Sequence, residues 1–216
     1  MFWHVYSRVG KCPLFKTLVL ATDDERIKAA AEAYQVPVVM TRSDHPSGTD
    51  RVLEAAIKIA VPEEAVVVNI QGDEPLIQPE LITALLAPFS DPGIEVTTCA
   101  IRISSEAATN PNTVKVVRDR LGNALYFSRS LIPFDRDRTG RVSYLGHIGL
   151  YAFRMKTLKR FVFMAPGKLE EIEKLEQLRL LENGVAIQVV ETEVMTVGVD
   201  TPEDVARVEK MLEKSH

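Results

Sequence analysis

Cysteine is scarce. Cys12 and Cys99 are the only two in 216 residues, too few and too far apart for a disulfide framework or a thiolate metal cluster. They read as small apolar residues in a reducing compartment. Long apolar runs are missing too: no stretch of 18 residues is apolar, which excludes a membrane-spanning helix. The opening MFWHVYSRVGK lacks the apolar centre and small-residue cleavage site of a secretory signal, so a cytoplasmic location is expected. Nor is there an excess of one charge. Twenty-six basic and 30 acidic residues give a net −4, so nucleic acid and membrane surfaces are not expected partners, and any polyphosphate site must be a local cluster. Repeats, low-complexity tracts and linkers are absent. The length suits one domain over residues 1–216.

What is present alternates. Residues 17–22 (TLVLAT), 36–40 (VPVVM) and 65–71 (AVVVNIQ) are short β-branched runs that predict buried strands. Between them, 24–34 predicts a helix with a capping box from Thr22 to Glu25. Residues 49–60 put Val52, Ala55, Ala56 and Ile59 on one helical face, and 79–87 opens on Pro79. Such alternation predicts βαβ units. Beyond Asp91, strands are expected at 94–103, 113–119, 124–128 and 145–154, with Leu-Gly-Asn turning a hairpin. Helices are expected at 155–163 and at 170–183, the latter stopped by Gly184. An extended stretch follows over 185–200, then a helix begun by Thr201-Pro-Glu-Asp, which supplies cap, proline and first-turn acids. The predicted class is α/β: a mostly parallel sheet with helices on both faces and an antiparallel insertion. Phe2, Val5, Tyr6 and Val9 already sit at helical spacing, where a βα chain would normally enter through a strand.

Ligands of open α/β sheets bind at the carboxyl ends of strands. Asp73 stands there, after a glycine that lets a ligand approach the backbone, and is either a turn residue or a Mg²⁺ ligand. Asp200, ahead of the last helix, is either a second such carboxylate or an acid that favours the helix dipole. The polar stretch 41–51 suits a nucleotide, or is simply a capped loop. His147 and Tyr151 lie four apart on one side of a strand, with the small Gly149 between them. They are a satisfied pair or the walls of a ligand space. Glu176 and Gln177 fall in mid-helix, as on a solvated face.

Eight strings, ATDDERI, TRSDHPSGTDR, VNIQGDEP, NPNTVKVV, ALYFSRSLIPFDRD, GHIGLYAFR, IEKLEQLR and GVDTPEDVARV, follow one another from Ala21 to Val208. Together they resemble the 3-deoxy-manno-octulosonate (Kdo) cytidylyltransferases, or CMP-Kdo synthetases. The resemblance implies a Rossmann-like nucleotidyltransferase of the nucleotide-diphospho-sugar transferase type. In that family the anomeric hydroxyl of Kdo attacks the α-phosphorus of CTP with Mg²⁺ as cofactor, giving CMP-Kdo for lipopolysaccharide synthesis and pyrophosphate. Carried over by motif, Asp73 and Asp200 would hold Mg²⁺ and serve catalysis. Met40, Thr41, Ser47, Gly48, Arg51 and Gln71 would bind CTP. Arg129 would pair with the Kdo carboxylate, and His147, Tyr151, Glu176 and Gln177 would bind its hydroxyls. A homodimer formed through the antiparallel insertion is also implied. One departure stands out. Family members place a strand and a glycine- and basic-rich loop before the first helix, whereas Gly10-Lys11 here follows it. The expectation is an N-terminally truncated domain with impaired transfer. Alternatives are the same chemistry on 8-amino-Kdo, and a non-catalytic homologue that keeps the sugar pocket and dimer surface. Retention of both Asp73 and Asp200 argues against the last.

Overall fold

The computed structural model describes residues 1–194, 196, 198–199 and 201–213. In chain order the elements are α1 (Phe2–Val9), β1 (Leu20–Thr22), α2 (Glu25–Ala33), β2 (Val38–Met40), α3 (Gly48–Lys58), β3 (Val66–Asn69) and α4 (Pro79–Leu86). A 3₁₀ turn (Ala87–Ser90), β4 (Val96–Ile103), α5 (Ser105–Thr109), β5 (Lys115–Arg118), β6 (Ala124–Ser128) and β7 (Tyr144–Arg154) follow. The chain continues through α6 (Met155–Val162), α7 (Lys168–Glu173), α8 (Leu178–Glu182), β8 (Gln188–Thr192) and α9 (Pro202–Glu213). It divides into two compact units.

The first unit comprises Met1–Ala65, Asn69–Thr83 and the described part of Val194–His216. Here β1 and β2 pair in parallel, Thr22 opposite Met40, as expected for a βαβ step. α1 buries Val5 and Val9, so the helical spacing at the start is borne out. The cap of α2 falls two residues later than the Thr22 pattern predicts. Thr22 is held in the ladder, and Asp24 takes the Arg26 and Ile27 amides at 2.7 and 3.4 Å. α3 is capped by Ser47 and buries Thr49, Leu53, Ala55 and Ala56. Ile59, expected on that face, is instead its exposed C-cap. α9 begins as its sequence predicts: Thr201 Oγ1 accepts from the Asp204 amide and Asp204 accepts from the Thr201 amide.

The second unit comprises Val66–Val68 and Ala84–Glu193. Its sheet runs β6-β5-β7-β4-β8, with β3 also pairing β7. β4 is parallel to β8 and antiparallel to β7. β5 is antiparallel to β6 and β7, which gives the expected hairpin, with Gly122 at a left-handed φ of 87° in its turn. The antiparallel share of the sheet therefore exceeds what strand–helix alternation predicts, because the eleven-residue β7 pairs with three strands. Phe127, Leu158, Leu178, Leu180 and Ile187 are fully buried in its core.

Two expectations are corrected here. Residues 170–183 are not one helix: Lys174 adopts φ 54°, ψ 48° and separates α7 from α8. The break turns Leu175 and Gln177 inward, both buried, which a continuous helix through the charged run would not do. Within 185–200, only Gln188–Thr192 forms a strand among the described residues.

Candidate functional site

In the first unit, β3 ends in the Asn69–Pro75 loop. Gly72 borders open space, where a Cβ would meet nothing within 4 Å. Asp73 Oδ1 is buried with no hydrogen-bond partner. A buried carboxylate oxygen without a donor is costly unless a cation or water completes it, so the residue fits one ligand position of an oxygen-seeking cation. Among the described residues no group of three His, Cys, Asp or Glu gathers as a ready-made metal cage. The Val199 amide donates to the Asp73 carbonyl at 2.9 Å, and the Thr196 hydroxyl donates to Glu74. Thus Thr196 and Val199 lie beside this loop. Asp200 lies outside the described residues. Gln71 is exposed.

The 41–51 loop is braced by α3. Glu54 accepts the Arg42 amide (3.1 Å), pairs with Lys58 (2.8 Å) and contacts His45 Nε2. The Lys58 hydrogen bond leads in holding the Glu54 carboxyl down at about 2. Lys58 Nζ also takes the Met40 carbonyl at 2.7 Å. Arg51 Nη1 donates to Thr41 Oγ1 (2.7 Å) and pairs with Asp23 (2.9 Å). The structure therefore brings Met40, Thr41 and Arg51 together around one helix. Ser47 is engaged as the α3 cap, and a Cβ on Gly48 would meet nothing within 4 Å.

In the second unit, His147 and Tyr151 meet. Four residues along a regular strand would separate them by about 13 Å. Instead the β4–β7 ladder slips: Cys99 faces Ile148 while Thr98 faces Tyr151, so Gly149 and Leu150 bulge out. The Tyr151 hydroxyl thereby lies 3.0 Å from His147 Nε2. Bulges that re-aim side chains recur beside active sites. Thr98 Oγ1 also lies 2.9 Å from His147 Nε2 and within reach of the Leu150 carbonyl (2.9 Å). With its hydrogen on a carbonyl, Thr98 presents a lone pair to the ring and favours the Nε2–H tautomer. Burial pushes His147 down to about 3, so the imidazole is neutral at pH 7. Burial, chiefly, and the Glu176 charge in smaller part raise Tyr151 well above the phenol range, with Thr98 opposing. A Cβ at Gly149 would meet nothing within 4 Å, so the small residue does leave room.

Arg129 follows β6. Its Nε donates to the Glu173 carbonyl (2.8 Å), Nη1 to Pro111 (3.2 Å) and Nη2 to Lys174 (3.4 Å). A guanidinium carries five hydrogens; those three bonds leave one on each Nη for an anion. Gln177 is buried and Glu176 half-buried in the turn between α7 and α8, not on a solvated helix face. Thr98, Glu54, Lys115 and Glu173 have parts here that sequence reasoning missed. Only Lys115 gave a signal, being a cation directly before the apolar pair Val116 and Val117 in β5.

The cytidylyltransferase family profile matches residues 1–191. The chain belongs to this family. It is a nucleotidyltransferase, and its fold is that of a known relative. A solved structure of "CMP:2-keto-3-deoxy-manno-octonic acid synthetase complexed with CTP" superposes with a TM-score of 0.94 at 38% identity, over 100% of this chain and 88% of that one. The 3-deoxy-manno-octulosonate cytidylyltransferase of Nitratidesulfovibrio vulgaris (Hildenborough) is 54% identical over 100% of this chain and 86% of its own length. That of Oleidesulfovibrio alaskensis is 53% identical over 100% and 87%. The mixed α/β nucleotidyltransferase class read from the motifs is thus borne out. No helix among the described residues is long and apolar enough to cross a membrane.

Proposed function

We infer that this chain transfers CMP from CTP to the anomeric hydroxyl of Kdo, releasing pyrophosphate. The observation that carries this reading is identity of 53–54% along the whole chain to proteins named for that transfer. The second unit supports it with donors suited to an acid sugar. Arg129 offers a hydrogen from each Nη to the sugar carboxylate. His147, neutral at pH 7, serves as a hydrogen-bonding partner rather than a cation, and with Tyr151, Glu176 and Gln177 it holds sugar hydroxyls beside Gly149. In the first unit, Met40, Thr41, Ser47, Gly48, Arg51 and Gln71 hold CTP on the brace that α3 provides.

Asp73 fits Mg²⁺ through its unpartnered Oδ1, and Asp200 is the second carboxylate by its motif. When bound, Mg²⁺ offsets the repulsion between two anionic substrates and polarises the α-phosphate. This chain's own part is to orient: an acid sugar held by its carboxylate presents its anomeric hydroxyl in one direction, which is where positioning contributes most. The exposed Leu121, Leu125 and Phe134 of the antiparallel insertion, at 80, 62 and 79%, support a homodimer formed there. The cytoplasm is the compartment this reading assigns.

Acceptor competition tests the assignment. With CTP and Mg²⁺, pyrophosphate release should depend on Kdo and stop with EDTA. N-acetylneuraminate should not replace Kdo, nor UTP replace CTP. Equal use of another acid sugar would overturn it.

A further inference from the structure

Lys115 is a lysine with no exposed surface, a rare placement for a cation. Its Nζ donates to the carbonyls of Asn110 (3.0 Å), Thr113 (2.6 Å) and Arg129 (2.6 Å). Three hydrogens meet three backbone acceptors, one belonging to Arg129 itself. Glu173 takes the other side of the same residue. Its carboxylate accepts the Arg129 amide (2.9 Å) and the Ser128 hydroxyl (2.6 Å), while its carbonyl accepts Arg129 Nε (2.8 Å). The backbone N–H, the backbone C=O and the inner guanidinium nitrogen of one arginine are thus all fastened by two residues.

A hairpin end needs no such device merely to turn. The Ser130 amide is already satisfied by Ser128 Oγ at 3.0 Å. The charges also matter: Lys115 and Arg129 share the neighbourhood of the Glu173 carboxylate. Burial lowers Lys115 and the nearby Arg129 adds to this, while Glu173 acts to keep it charged. The anion that fits is a carboxylate, because one hydrogen remains on each Nη and two oxygens can meet them.

We propose that Lys115 and Glu173 are positioning residues that hold Arg129 in the pose in which it binds the carboxylate of the acid sugar. This rests on the transfer to Kdo argued above. Neither residue touches the sugar; both act through Arg129.

The test is steady-state pyrophosphate release by wild type, Lys115→Met, Glu173→Gln, Arg129→Ala and the Glu173→Gln/Arg129→Ala double variant. KM is measured separately for Kdo and CTP, and each variant's folding is checked by circular dichroism. Displacing a binding group by about an ångström can cost up to two orders of magnitude, so a rise of about tenfold in KM for Kdo is expected in Lys115→Met, and a smaller rise in Glu173→Gln, with KM for CTP within about twofold. With Arg129 removed, Glu173→Gln should add nothing further, because its effect passes through the arginine. If Lys115→Met does not fold, Glu173→Gln and the double variant decide alone. Equal changes in both KM values, no change in either, or full additivity in the double variant would overturn the proposal. A wild type that ignores Kdo would instead overturn the substrate reading.

Discussion

The roles proposed for Asp73, His147 and Arg129 can each be tested at a single residue. Asp73 keeps an unpartnered buried oxygen, an arrangement that costs stability unless a cation or water completes it. Asp73→Asn should therefore lower kcat by about a hundredfold or more, while the unfolding midpoint stays the same or rises. Pyrophosphate release and calorimetry check the two halves, and near-normal turnover would remove Asp73 from the metal site. His147 makes a pH prediction. Its folded value is pushed to about 3, from an ordinary 6.5, so the unfolded chain binds the proton more readily. The contribution is complete above pH 6.5 and is lost as pH falls toward 3, with a slope of at most about 1.4 kcal/mol per pH unit. His147→Gln should flatten the stability profile between pH 6 and 4, measured by urea unfolding. An unchanged profile would mean the ring is not held neutral. Arg129→Lys should raise KM for Kdo nearly as much as Arg129→Ala, since an ammonium cannot make the bidentate pair.

At the scale of elements, β7 shows where sequence reading reached and where it stopped. The strand itself was legible, as was the placing of His147, Gly149 and Tyr151 on one side of it. The bulge was not, because a two-residue slip in a ladder is decided by the partner strand and leaves no local pattern. The α7–α8 break was hidden for a similar reason. The run is helical by propensity throughout, and burial of Leu175 and Gln177 overrides it with a left-handed Lys174. The two glycines of β7 separate packing from function. A Cβ on Gly146 would sit 2.9 Å from Ile103 Cγ2, so Gly146→Ala should destabilise by about 1–3 kcal/mol. A Cβ on Gly149 meets nothing, so Gly149→Ala should leave unfolding unchanged and raise KM for Kdo by filling ligand space. Unfolding curves and kinetics of the two variants check this, and a stability loss in Gly149→Ala would contradict it. α7 carries a similar device. Its first amides, on Leu169 and Glu170, donate to the Glu182 carboxylate at 3.1 and 3.4 Å, a cap supplied from another helix. Glu182→Ala should cost about 1 kcal/mol, as lost caps do.

For the whole molecule, the class and most of the element order were legible in the alternation of β-branched runs with helical stretches, and the family in eight ordered strings; the short α5 and the split of α7 from α8 were not. Charge balance and the scarcity of cysteine had already excluded nucleic-acid binding and thiolate chemistry as leading readings. Sheet directions were less legible, because parallel and antiparallel strands share the same β-branched runs until their partners are known. The proposed homodimer rests on the exposed apolar residues of the insertion. Wild type should scatter light as a dimer, and Leu125→Asp with Phe134→Asp should scatter as a monomer, whereas an unchanged mass would move the interface elsewhere. The central claim is transfer of CMP to Kdo. It is tested most directly by following pyrophosphate and CMP-Kdo together, with the 216-residue chain, CTP, Mg²⁺ and Kdo, beside controls lacking Kdo and containing EDTA. The account expects release that is equal in amount to the CMP-Kdo formed, absent without Kdo and abolished by EDTA. Release that ignores Kdo, or none at all from folded protein, would contradict it.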